Sequence, residues 1–230
     1  REKSMITQHI VDEHVLNYIQ GLLPEETGFL AELKDYGETH LVPIIQPEIA
    51  QYLKVFFSIA RPKSVLELGT AIGYSACLMG TYLNEGTIDT IEINEEMAKL
   101  AEGHFERFEA LHPKVKVTLH RGDGLEVIKT LNKSFDMIFI DAAKGHYKAF
   151  LELCMPMLNE GGVIVSDNVL YKGMVATNLY LVRRKITIVK RMRQYLTYIS
   201  EHPELDTTIL PMGDGLAISY KRRSTTRETR

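Results

Sequence analysis

Residues 64–75 read SVLELGTAIGYS: a short run of strand character, a turn with glycines at positions 69 and 73, and the start of a helical pattern. Four later runs repeat the texture of its first half: TIDTIEI at 87–93, VKVTL at 115–119, FDMIFI at 135–140 and GVIVS at 162–166. Each is apolar at nearly every position, and a helical stretch separates it from the next. Strands of that kind are buried on both faces by crossover helices, so the alternation predicts a parallel sheet. Near the end, TTIL at 207–210 and LAISY at 216–220 flank residues 212–215 and read as a hairpin, which would close the sheet with an antiparallel pair. Ahead of the sheet, residues 6–60 carry apolar positions at three- and four-residue spacings broken by Gly21, Pro24, Pro43 and Pro47, which predicts about three helices. The fold class is therefore α/β.

The composition fits one globular domain over residues 1–230: 45% of the chain is hydrophobic, 25% is charged, and the formal net charge is -3. A helical region covers about residues 5–60, and the sheet with its helices covers about 64–220. Arg1 to Ser4, ahead of Met5, are set aside. Cys77 and Cys154 each lie in an apolar stretch with no metal-like or redox spacing, so a reducing, cytoplasmic compartment is expected. No signal-peptide pattern and no membrane-length apolar run is present, and no membrane partner is expected.

In an open α/β sheet, ligands collect beyond the carboxyl ends of the strands. Five of those ends carry polar chemistry. The first, ELGTAIGYS at 67–75, sets Gly69 and Gly73 in a tight turn that lets backbone approach a ligand, yet it lacks both the dinucleotide fingerprint and the Gly-Lys-Ser/Thr of a phosphate loop. The second, IEIN at 91–94, offers Glu92 as an acceptor for ribose hydroxyls. A turn glycine and a solvated glutamate explain either feature alone, whereas the two at matching strand ends favour a nucleoside cofactor. The third, HRGDGLEV at 120–127, brings Asp123 and Gly124, which suit a helix N-cap, a cavity wall, or both. The fourth and fifth end in Asp141, with Lys144 three residues on, and in Asp167 and Asn168. Neighbouring strands would bring Asp141, Asp167 and Asn168 to one rim. Two carboxylates and an amide carbonyl form a hard-oxygen set suited to Mg2+, Mn2+ or Ca2+, with about three octahedral positions left for water and substrate.

Taken in order, VLELGTAIGYS, IEIN, FIDAAKGHY and VIVSDNVLYKG resemble the metal-dependent O-methyltransferases related to catechol and caffeoyl-CoA methyltransferases, over about residues 40–220. The resemblance implies a Rossmann-like class I methyltransferase fold with a seven-stranded sheet, a helical extension and a homodimer. It implies S-adenosylmethionine as cofactor, held by Val42, Glu67, Gly69, Ser75, Glu92, Asp123, Gly124 and Asp141. It implies a metal on Asp141, Asp167 and Asn168, with Lys144 and Asp141 catalytic. A cation there lowers the pKa of a bound hydroxyl, and Lys144 is the candidate base, although lysine is most often a solvated surface residue. Within the family, HLVPIIQPE, GTAIGYSA, IDAAKGHY, DNVLYKG and PMGDGLAIS resemble the bacterial members that methylate 5-hydroxyuridine in the tRNA anticodon.

Catechols and 5-hydroxyuridine both present a hydroxyl beside a second oxygen, so the metal motif does not separate a small molecule from tRNA. The segment LVRRKITIVKRMRQYL at 181–196 bears on the choice. It carries Arg183, Arg184, Lys185, Lys190, Arg191 and Arg193 with no acid. On a helix, Ile186, Val189, Met192, Leu196 and Ile199 form an apolar stripe, leaving Arg183, Arg184, Lys190 and Arg191 outward, either as a phosphate-binding face or as an ordinary solvated one. The tail at 221–230 adds five basic residues against one Glu. A nucleotide-dependent dehydrogenase leaves the Asp167–Asn168 pair and Lys144 unexplained. A non-catalytic RNA-binding or assembly module leaves the metal ligands unexplained. In the amino-terminal helices, Ile10, Leu16, Ile19, Leu22 and Leu23 call for cover from the domain's own core or from a partner.

Overall fold

The computed structural model describes residues 10–224. Three helices precede the sheet: α1 (Glu13–Gly21), α2 (Gly28–Thr39) and α3 (Pro47–Ala60). Their limits follow local chemistry. The Asp12 side chain accepts the backbone N–H groups of His14 and Val15 at the start of α1. Pro47 opens α3, where its missing N–H costs nothing. Helices α2 and α3 bury Leu33, Ile49, Leu53 and Phe57 in the domain's own core, whereas α1 buries no residue and leaves Tyr18 and Leu22 exposed.

The strands are β1 (Ser64–Leu68), β2 (Gly86–Glu92), β3 (Val115–Arg121), β4 (Phe135–Ile140), β5 (Leu158–Ser166), β6 (Leu205–Leu210) and β7 (Leu216–Lys221), in the sheet order β3-β2-β1-β4-β5-β7-β6. Strands β1 to β5 are mutually parallel, and β7 runs antiparallel to both β5 and β6. This is the predicted sheet with its terminal hairpin. Strand β5 begins earlier than the apolar pattern suggests, because Leu158 already pairs with Phe135 before a register irregularity resets the ladder at Met137 and Val163.

Between strands run α4 (Tyr74–Leu83), α5 (Glu95–Leu111), α6 (Gly124–Thr130), α7 (Tyr147–Cys154) and α8 (Ile186–Ser200). They explain the near-continuous apolar strands. In β4, Met137 and Phe139 face a core shared with α3, α4 and α5, while Ile138 and Ile140 face a second core shared with α7 and α8, and all four are fully buried. Each such side chain contributes about 1.5–3 kcal/mol by leaving water. Helix α8 starts three residues later than the basic run: Arg183–Lys185 form a short 3-10 turn. Of its predicted stripe, Val189, Met192, Leu196 and Ile199 are buried, joined by Tyr195, while Ile186 is exposed.

Two acidic side chains are sealed inside the sheet. Asp89 in β2 is fully buried and accepts from His120 Nε2 of β3 at 2.7 Å and from Lys133 Nζ at 2.7 Å and 2.9 Å. Glu67 in β1 is also fully buried. It accepts Ser75 Oγ of α4 and Thr90 Oγ1 of β2, each at 2.5 Å, and Thr90 in turn meets Thr70 Oγ1 at 2.6 Å. Burial pushes the Glu67 carboxyl up to about 8, against the pull of those two hydroxyls. The folded protein thus holds a proton that the unfolded chain has released, so this group's stabilisation is full below about pH 4.5 and is lost as pH rises through about 8. Wild-type protein should therefore lose thermal stability relative to Glu67→Gln between pH 5 and about pH 8, as read by unfolding scans across pH. Parallel profiles would show that Glu67 is ionised in the fold at neutral pH.

Candidate active site

Strands β1 and β4 lie side by side while the chain leaves them toward opposite edges of the sheet, and a crevice opens beyond their carboxyl ends. Gly69 makes the crevice tight. Its φ is +99°, and a Cβ there would fall 2.1 Å from the Asp141 carbonyl oxygen. No side chain fits. Beyond this contact lies a cavity of about 750 Å³, walled by the segment before α3, the β1–α4 turn and the ends of β2 to β5.

Val42, Gly69, Ser75, Glu92, Asp123, Gly124, Asp141, Lys144, Asp167 and Asn168 all line this cavity. Glu67 does not line it. Its carboxyl lies beneath the floor, with its oxygens engaged by Ser75, which lines the cavity, and by Thr90. A strand-end acid and a strand-interior acid one residue short of the end look alike in sequence. Glu92 is held at the rim by Ala71 N–H on Oε2 at 2.8 Å and Asn94 N–H on Oε1 at 2.7 Å. Each oxygen keeps a lone pair for an incoming hydroxyl. Asp123 caps α6 by accepting Leu125 N–H at 2.8 Å, so its cap role and its place in the wall coexist.

The oxygen-rich rim assembles from β4 and β5. Asp167 N–H donates to the Ile140 carbonyl at 2.9 Å, which ties the two strand ends together. Asp167 Oδ1 accepts Asn168 N–H at 2.7 Å, and the Asp167 carbonyl accepts the buried hydroxyl of Tyr147 at 2.9 Å. Asn168 adopts φ +59°, a left-handed conformation that asparagine tolerates. Its Oδ1 accepts from Lys144 Nζ at 2.7 Å. Burial raises the Asp141 carboxyl, and Lys144 pulls it back. Asp167 is pushed up to about 7 by burial first and by the charge of Asp141 second. A buried carboxylate whose ionisation the neighbouring Asp141 opposes, with Lys144 beside the pair, makes a site where a further cation would be stabilised. Among the described residues no group of three or more His, Cys, Asp or Glu is arranged to hold a metal ion. Asn168 Oδ1 would have to complete the set, and the donors fit a hard divalent cation.

Sequence reasoning missed several members of the site. Tyr74 lines the wall and donates to Glu26 Oε2 at 2.5 Å, and Glu26 also pairs with Lys54 at 2.7 Å. Lys172 and Asp214 reach the cavity from the loop after β5 and the β6–β7 turn. Asp214 in PMGDGLAIS reads as a turn residue, and only its return across the sheet reveals its neighbours.

The basic segment flanks the cavity mouth. Arg191 Nη1 approaches the Gly145 carbonyl at 3.4 Å, next to Lys144, and Lys144 and Lys185 sit 5.8 Å and 5.7 Å from the centre of the Tyr171 ring. Arg183, Arg184, Lys190 and Arg191 are exposed and form no ion pair among the described residues. Arg193 is turned inward, onto the Met174 and Val175 carbonyls and Asn178 Oδ1. Lys221 and Arg222 of the basic tail are likewise spent locally, on the Met155 and Leu158 carbonyls and on Asp206. Residues 225–230 of that tail lie outside the described residues. No helix among the described residues is long and apolar enough to cross a membrane.

Comparison with known proteins agrees with this geometry. A catechol O-methyltransferase of Niastella koreensis is 28% identical over 219 residues, spanning 90% of this chain and 96% of its own length. A caffeoyl-CoA O-methyltransferase of Mesembryanthemum crystallinum is 26% identical, with 94% and 87% covered. Among solved structures, the O-methyltransferase from Bacillus cereus in complex with SAH superposes with a TM-score of 0.77 at 26% identity, covering 91% of this chain and 97% of that one. The seven-stranded sheet with its antiparallel terminal hairpin is that of Rossmann-like methyltransferases. The O-methyltransferase family model matches residues 23–222, and with the crevice at Gly69 and the rim of Asp141, Asp167 and Asn168 inside that span, the chain belongs to the O-methyltransferase family.

Proposed function

We propose that this chain moves the methyl group of S-adenosylmethionine to a hydroxyl that stands beside a second oxygen, with a divalent cation held by Asp141, Asp167 and Asn168, and that the acceptor is 5-hydroxyuridine in a tRNA anticodon. The observation that carries the reading is the meeting of three oxygen donors and Lys144 in the same cavity as Gly69 and Glu92. When bound, the cation supplies Lewis acidity that lowers the pKa of the acceptor hydroxyl. The chain supplies the rest. Glu92, fixed by two backbone amides, offers acceptors to vicinal ribose hydroxyls. Gly69 lets the cofactor lie against backbone at the crevice floor. Lys144, tethered to Asn168, would receive the hydroxyl proton as a neutral amine, the like charges of a bound cation and sulfonium disfavouring its ammonium form. Methyl transfer from a sulfonium needs an oxyanion aligned behind the carbon, and holding both reactants in one walled cavity lowers the entropic part of that barrier.

The exposed basic cluster beside the mouth favours a polyanionic acceptor. A catechol-like small molecule is the second reading, supported by the same donor set and by the names of the relatives. A cytoplasmic protein acting as a homodimer completes the proposal, with the unburied apolar face of α1, at Val15, Tyr18 and Leu22, as the surface for a second copy.

Adding Mg2+ or Mn2+ together with S-adenosylmethionine should raise the thermal midpoint, and Asp167→Ala should abolish the metal-dependent part. Absence of any response in wild type would remove the metal-dependent reading. Mass spectrometry of tRNA nucleosides from cells with and without this chain should show 5-methoxyuridine only in its presence. Efficient methylation of a simple catechol with no activity on 5-hydroxyuridine tRNA would select the small-molecule reading instead. Reversing charge at Arg184 and Lys190 should lower kcat/KM for tRNA by about tenfold at low salt, less at high salt, and leave a catechol acceptor untouched. An equal loss on both acceptors would show that these residues support the fold rather than the RNA.

A further inference from the structure

The turn between β6 and β7 carries a carboxylate that neither the sheet nor the three-oxygen rim requires. Asp214 is partly buried and lines the cavity with Asp141, Lys144, Asp167 and Asn168. Three hydrogen bonds join its turn to the chain leaving β5. Val169 N–H donates to the Gly215 carbonyl and Leu170 N–H to the Asp214 carbonyl, both at 2.9 Å, and Lys172 N–H donates to Asp214 Oδ1. The approach is close enough to demand glycine at 215, whose φ is +91° and whose Cβ would fall 2.4 Å from Leu170 Cγ.

The segment held in this way has an unusual backbone. Asn168, Tyr171 and Lys172 have φ of +59°, +46° and +56°, in the left-handed region that L side chains disfavour. Such a run persists only where surrounding contacts fix it. The two backbone bonds hold its beginning, at 169 and 170. At its far end, Lys172, the side chain of Asp214 is the acceptor, 42 positions away in sequence. Burial raises the Asp214 carboxyl, and the Lys172 amide and the nearby charges of Lys144 and Lys172 draw it back. Those cations bind its charge to the same group of residues.

We propose that Asp214 is a positioning residue: by accepting the Lys172 amide it fixes the segment from Asn168 to Lys172, with its three left-handed residues, and thereby holds Asn168 Oδ1 toward Lys144 and the two rim carboxylates. The geometry stands on the contacts above. Its consequence for cation affinity rests on the metal-dependent reading. Residues that orient a metal ligand act on affinity without touching the ion, and their loss typically weakens binding by about 10–100-fold.

The test compares Asp214→Ala with Asp214→Asn, which keeps an oxygen for the Lys172 amide. In protein without added metal, amide exchange by NMR should quicken by about tenfold or more at Lys172 and its neighbours in Asp214→Ala, stay near wild type in Asp214→Asn, and be unchanged across β1 to β5 in both. Mn2+ binding, followed by electron paramagnetic resonance of the free ion, should weaken by about tenfold or more in Asp214→Ala and by less than about threefold in Asp214→Asn, with S-adenosylmethionine affinity unchanged. Exchange at Lys172 that is unaltered in Asp214→Ala would overturn the proposal, as would an asparagine variant as damaged as the alanine one. So would a loosening that spreads through the whole sheet. Wild-type protein that takes up no Mn2+ would sink the metal-dependent reading alone, and the exchange comparison would still decide whether Asp214 clamps the loop.

Discussion

At the floor of the crevice the ends of β1 and β4 approach until residue 69 has no room for a side chain, with the Asp141 carbonyl 2.1 Å from where a Cβ would be. Backbone bonds lock that approach: Asp141 N–H donates to the Leu68 carbonyl and Gly69 N–H to the Ile91 carbonyl, at 2.9 Å and 3.0 Å. Everything polar in the site is measured from this point. It brings the β4 acid beside the β1 turn, sets Glu92 one strand over, and sets Asp167 one strand the other way through the Asp167–Ile140 bond. The two apolar cores on either face of β4 then make the arrangement rigid, since Met137 to Ile140 are all fully buried and a shift of one residue would exchange the faces.

The order of elements, the parallel sheet and the hairpin were legible because the apolar runs are short, rich in β-branched residues and separated by helical stretches, and because Gly213 and Gly215 bracket a turn. The oxygen-rich rim was legible because both of its strands end on it, so sequence position translated into place. The hydrogen bonding of Glu67 was not legible, because its partners Ser75 and Thr90 lie 8 and 23 positions away. Asp214 and Tyr74 were illegible for a related reason. Their roles arise from neighbours supplied by other elements: the Lys172 amide in one case, and Glu26 from the amino-terminal loop in the other.

The basic run divides in a way that charge counting could not foresee. Arg193 has its guanidinium on three local acceptors and stabilises the loop at Met174 to Asn178, whereas Arg183 and Arg184 sit on a 3-10 turn ahead of the helix and remain in solvent. Residues of one charge within a dozen positions thus serve two ends. One group shapes the loop that follows the oxygen-rich rim, and the other stays exposed to solvent.

The hydrogen-bonded triad of Asp89, His120 and Lys133 has a bearing on the outer edge of the sheet. Strand β3 is an edge strand, free on one side and so open to sliding along its neighbour or pairing with another chain. His120 of β3 reaches Asp89 of β2 only in the observed register, where Thr118 faces Asp89 and His120 faces Ile91. A slip of one residue would swing His120 to the opposite face and take away one of the two partners of a fully buried carboxylate. The sealed charge of Asp89 therefore favours the observed pairing of β2 with β3, since a slipped register would leave it with one partner fewer.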